Sequence, residues 1–67
     1  MKVTPRIEML EGLISNGFNG ASTKLNRIRY WHNEISAADY SEALGSVINT
    51  LSTTVDYLKE LQKEVEK

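Results

Sequence analysis

Residues 27–34 read RIRYWHNE, and no other stretch of the chain gathers as much chemistry. Two arginines, a tyrosine, the only tryptophan and the only histidine stand together. A guanidinium can grip a phosphate through two parallel hydrogen bonds. Tyrosine and tryptophan offer planes on which a base can stack. With Lys24 just upstream, the mixture suits a small anionic ligand that carries a base, which is to say a nucleotide. The candidate ligand-binding set is therefore Lys24, Arg27, Arg29, Tyr30, Trp31 and His32. At 100° per residue, Arg27 and Arg29 lie about 160° apart around a helix. One chain does not aim both at one ligand, whereas a site at a subunit boundary could recruit them separately. The competing interpretation is structural. Ile28 and Trp31 would then hold the helix to the core, with the arginines solvated or paired with Glu34 and Asp39.

Catalysis needs a positioned nucleophile, an acid/base pair or a metal. The only candidates are His32 with Glu34 and Asp39 with Glu42. Asp39 is better explained as a helix-capping residue, and a lone histidine on an apolar stripe is more often a boundary residue than a catalyst. The sequence GFNG lacks the Lys and Ser/Thr of a phosphate-cradling loop. No catalytic residue, cofactor or metal ligand is assigned, and the expectation is a non-enzyme.

The elements that must position these residues are helical. The 67 residues make one domain, spanning 1–67. Alternating apolar/polar runs are missing. Thr4 followed by Pro5 is a helix start, because Thr can cap the first turn and Pro lacks an N–H that would go unused there. Ile7, Leu10, Leu13 and Ile14 follow at helical spacing, and Gly12 is a place where another backbone could approach. Gly17 in NGFNG fits the left-handed position that closes a helix, with Phe18 as the apolar contact of that cap. A second helix is expected over about 21–33, with Ala21, Leu25, Ile28 and His32 as its stripe. Ser36 with Asp39 is the Asp form of a capping box, and Ile35 with Tyr40 is spaced as a hydrophobic staple. Both signals start a third helix at residue 37. Its stripe runs Tyr40, Leu44, Val47, Leu51, Thr54, Leu58, Leu61, Val65, and nothing breaks it before about residue 66. The expected fold is all-α: two short helices, about 5–16 and 21–33, then one long C-terminal helix, about 37–66.

Neither short helix is long enough to cover the third. A second chain is therefore expected on the seam, giving a three-helix protomer in a helical homo-oligomer. Chains this short usually need a staple, and the absence of cysteine rules out disulfides. From Ala43 to Val55 there is no charged residue, which suits a covered surface. The expected oligomer interface is Leu44, Val47, Ile48, Leu51, Thr54, Val55 and Leu58. MKVTPRIEML lacks the apolar run of a signal peptide, and no apolar segment is long enough for a bilayer. The expectation is a cytoplasmic protein without membrane contact.

Three function classes follow. The first is an oligomer that binds or sequesters a small nucleotide-type anion at subunit boundaries. Small all-helical phage proteins that sequester signalling nucleotides are similar in architecture, with short helices, one long helix and multimers. That likeness carries no shared motif. The second is a helical protein–protein interaction module, an inhibitor or adaptor that uses the apolar seam. The third is a helix-turn-helix DNA binder with the basic helix as reader. A formal net charge of −1 makes it the weakest of the three, because DNA affinity rests on many phosphate contacts.

Overall fold

A computed structural model describes all residues, 1–67. It holds two helices, α1 (Pro5–Trp31) and α2 (Ala37–Glu66), joined by a short turn into an antiparallel hairpin. The Cα trace measures 49 × 15 × 12 Å. The all-α expectation holds, but there are two helices in place of three.

Both helix starts follow their sequence signals. Thr4 caps α1, its hydroxyl accepting the Ile7 N–H at 3.2 Å, with Pro5 in the first turn. Ser36 caps α2, its hydroxyl accepting the Asp39 N–H at 3.1 Å. Ile35 and Tyr40 are half-buried against the same cluster of Ala21, Ile28 and Val47, as a staple requires.

The break expected at residues 16–20 does not occur. Asn16–Gly20 is helical, and no residue of the chain has a positive φ. Two glycines weaken a helix by up to ~1 kcal/mol each, so packing must offset them. It does so along a seven-residue repeat that passes through the glycines. Ile7, Ile14, Ala21 and Ile28 are all buried and occupy position a of a heptad. Leu10, Gly17, Lys24 and Trp31 take position d. In α2 the a positions are Tyr40, Val47, Thr54 and Leu61, and the d positions are Ala43, Thr50, Tyr57 and Glu64. All eight are buried or half-buried.

Gly17 serves a contact, not a cap. A Cβ placed there would overlap Thr54 Oγ1 and stand 3.0 Å from Thr54 Cβ. Gly12, where a close approach was expected, faces open space. Thr54 is 2% exposed, and its hydroxyl donates to the Thr50 carbonyl at 2.8 Å. Lys24 Nζ donates to Ser46 Oγ at 3.1 Å and to Thr50 Oγ1 at 2.8 Å. Much of the uncharged stretch of α2 thus fits its own partner helix. Small residues let α1 approach, and hydroxyls receive its one lysine at the exposed edge of the contact.

At ~1.5 Å per residue α1 is about 40 Å long and α2 about 45 Å. One helix therefore covers nearly all of the other, and the length argument for a second chain falls with the third helix. The helix-turn-helix arrangement falls with it, because the basic residues occupy the last turns of a 27-residue helix.

Candidate functional site

Arg6 identifies the sides of the hairpin. It lies one position before Ile7, and its guanidinium reaches Glu60 at 3.8 Å and Glu64 at 3.9 Å. Glu60 likewise lies one position before Leu61. The residues preceding each a position, the g positions, therefore share one flank of the hairpin. The e positions, four after each a, share the other.

The polar flank holds part of the ligand-binding set. Lys24 and Arg27 line a shallow groove of about 410 Å³ with Ile28, Asp39, Glu42, Ala43 and Ser46. Two cations thus share a groove with two carboxylates. Lys24 already donates both short hydrogen bonds named above, so its ammonium is engaged on α2 although the residue is exposed. The other four residues lie outside the groove. Arg29 and His32 are exposed. Tyr30 is 79% exposed and Trp31 48%, and the two rings meet edge to face with centroids 4.9 Å apart. The structure therefore brings together Lys24 and Arg27, and separately Tyr30 and Trp31, but does not bring the two pairs to one pocket. Asp39 and Glu42 are the groove residues that sequence reasoning assigned elsewhere.

The opposite flank is apolar. Position e of α2 is Leu44, Leu51, Leu58 and Val65, and Ile48 and Val55 at position b widen the band. Ile48 is 63% exposed, and Leu51, Val55, Leu58 and Val65 are 37–47% exposed. Phe18 and Leu25, at position e of α1, extend the band across the hairpin and are also exposed. Val55, Leu58, Leu61 and Val65 form the walls of a second open groove near the end of α2. Of the seven expected interface residues, Val47 and Thr54 are buried inside the hairpin against α1. Leu44 is half-buried, and Ile48, Leu51, Val55 and Leu58 face out. Sequence reasoning missed Phe18, read as a cap contact, and Leu25, read as core. The signal that could have found them is their seven-residue spacing, which matches that of Leu44, Leu51 and Leu58.

The class defined by this geometry is an all-α antiparallel helical hairpin with one polar and one apolar flank. No helix is long and apolar enough to cross a membrane. Comparison of the chain with protein-family models, curated proteins and solved structures finds no match.

Proposed function

We propose that this chain is a non-enzymatic helical interaction module that works by docking its apolar flank against helices of a protein partner. The observation that carries the reading is the continuous band Leu44–Ile48–Leu51–Val55–Leu58–Val65, joined by Phe18 and Leu25 and left uncovered by α1. Scattered apolar residues on a surface need no explanation, but a contiguous band marks a binding site. Its anchors recur at i, i+3, i+4 and i+7, the spacing by which helices recognise one another. The test is a titration with a fluorescent synthetic amphipathic helix of leucine and lysine, read by anisotropy. Saturable binding is expected, lost in Leu51→Lys and retained in Tyr30→Ala. Absence of binding, together with absence of self-association, refutes the reading.

A second reading is favoured by one observation, the shared groove of Lys24 and Arg27. A small nucleotide-type anion could meet these two cations, with Tyr30, Trp31, Arg29 and His32 supplied by a neighbouring chain at a subunit boundary. Asp39 and Glu42 on the same groove oppose it. A thermal-shift screen of mono-, di- and cyclic nucleotides decides the matter. A hit that disappears in Arg27→Ala supports ligand binding, and a flat screen removes it.

A further inference from the structure

The apolar band has a length, a symmetry and a charge pattern, and together they select an occupant. We infer that it is a second copy of this chain, docked α2 against α2 in antiparallel sense about a two-fold axis at Leu51. This rests on the interaction reading above and names its partner.

The area is the first argument. A compact folded chain of 7.6 kDa exposes about 4,300 Å² by the usual scaling of surface with mass. This hairpin exposes 5202 Å². The excess of roughly 900 Å² matches the ~800 Å² that each partner contributes to a standard stable interface. The elongated hairpin thus exposes enough surface beyond a compact fold to supply one such interface.

The symmetry is the second argument. A two-fold contact presents the same patch on both sides, so each residue must suit its own mirror position. The band is close to palindromic about Leu51. Leu44 and Leu58 stand one heptad to either side, and Ile48 and Val55 stand one turn to either side. An antiparallel copy therefore lays Leu44 on Leu58, Ile48 on Val55, and Leu51 on itself. Each layer pairs aliphatic side chains of similar size.

The charges are the third argument, and they fix the direction. The stretch from Ala43 to Val55 is uncharged, while Glu42 and Asp56 bound it and Lys59 and Lys63 follow. In the antiparallel arrangement the α2 band itself carries no charge, and the discriminating charges are those that α1 carries on the same flank, at positions b and e. In α1, Glu8 and Glu11 come level with the end of the second copy that carries Arg29 and His32. A parallel pair would instead bring Glu8 and Glu11 level with their own copies, and Arg29 level with Arg29. Like charges in register cost free energy and suppress the wrong partner orientation.

The test uses the full chain, which has no cysteine of its own. Sedimentation equilibrium at micromolar to submillimolar concentration should show a dimer, and Leu51→Lys should be monomeric with its helicity monitored by circular dichroism. Because that variant could fail by unfolding, single-cysteine variants give an independent readout. With a short bifunctional thiol reagent, Leu51→Cys should link to itself. Leu44→Cys and Leu58→Cys should each fail to link alone but should link when mixed. Self-linking of Leu44→Cys in a dimer would mean a parallel pair and would overturn the inference. A monomeric wild type that binds the synthetic helix through the band overturns the second copy and leaves the interaction module standing. A monomeric wild type that binds nothing overturns both.

Discussion

Replacing Gly17 by alanine puts the helix propensity of α1 and the packing of the hairpin in direct opposition. In a helix interior, alanine is better than glycine by ~1 kcal/mol, so on α1 alone the change stabilises. The new Cβ, however, would overlap Thr54 Oγ1 and come within 3.0 Å of Thr54 Cβ and 3.1 Å of Thr54 Cγ2. Thr54 is 2% exposed and its hydroxyl is held on the Thr50 carbonyl. Rotation about χ1 only exchanges one crowding atom for another, so the helices must part. Overpacking of this kind costs ~1–3 kcal/mol. Set against the helix gain, and with contacts on either side loosened, a net loss of about 1–2 kcal/mol is expected. For a chain of this size that lowers Tm by roughly 5–15 °C. Gly12 provides the control, since its Cβ position is open. Gly12→Ala should raise Tm by several degrees. The double variant Gly17→Ala/Thr54→Ala removes Oγ1 and Cγ2 and should recover at least ~1 kcal/mol as coupling between the two sites. Urea and thermal unfolding by circular dichroism, at one fixed protein concentration because association shifts Tm, measure all four. If Gly17→Ala stabilises as much as Gly12→Ala, with no coupling to Thr54, the helices do not meet at that level and the register described here is wrong.

The remaining predictions concern caps and layers. Ser36→Ala removes the hydroxyl that accepts the Asp39 N–H and should cost ~1 kcal/mol in chemical denaturation; an unchanged midpoint would mean that α2 starts elsewhere. Leu10→Ala, at a side chain 1% exposed, should cost ~2–4 kcal/mol, while Leu13→Ala, on the flank, should stay under ~1 kcal/mol; equal costs would contradict the heptad assignment of α1. Trp31→Ala should leave the chain folded, because the residue is already half exposed and the ~3–5 kcal/mol typical of a buried Trp does not apply; loss of cooperative unfolding would show a larger role for that ring.

The parts of the fold that were legible in advance are those set by neighbours in sequence. Thr4 with Pro5, and Ser36 with Asp39, mark helix starts through bonds only three residues long, and no distant contact overrules them. The end of α1 was misread because Gly17 satisfies two physical demands that look alike in sequence. It can close a helix in the left-handed conformation, or it can admit a neighbouring side chain. Only Thr54, far along the chain, decides between them. The repeat Ile7, Ile14, Ala21, Ile28 does run through the glycines, and it was the signal for continuity. The stripe read on α2 was similarly double. Tyr40, Val47, Thr54 and Leu61 face α1, whereas Leu44, Leu51, Leu58 and Val65 lie beside them and stay uncovered. A spacing of three and four cannot say which half of a broad stripe its own chain will cover. Within the candidate site, Lys24 and Arg27 do share a groove, but Asp39 and Glu42 join them only because the turn folds α2 back.

Gly17 also bears on how the hairpin finds its alignment. Two helices with a seven-residue repeat can slide past one another by a heptad and still match apolar to apolar. Closing contacts farther from the turn costs little extra, only ~0.6 kcal/mol for each doubling of the loop, so slipped pairings are reached as readily as correct ones. Gly17, however, meets the one side chain that fills its gap, Thr54. Shift by seven residues in either direction, and Thr54 is driven against Leu10 or Lys24, each with a side chain larger than hydrogen, while Lys24 simply exchanges its acceptors for Asp39 or Thr53. The central third of the hairpin thus acts as a key with one notch, at Gly17. It rejects misaligned chains that the aliphatic layers at either end would have accepted.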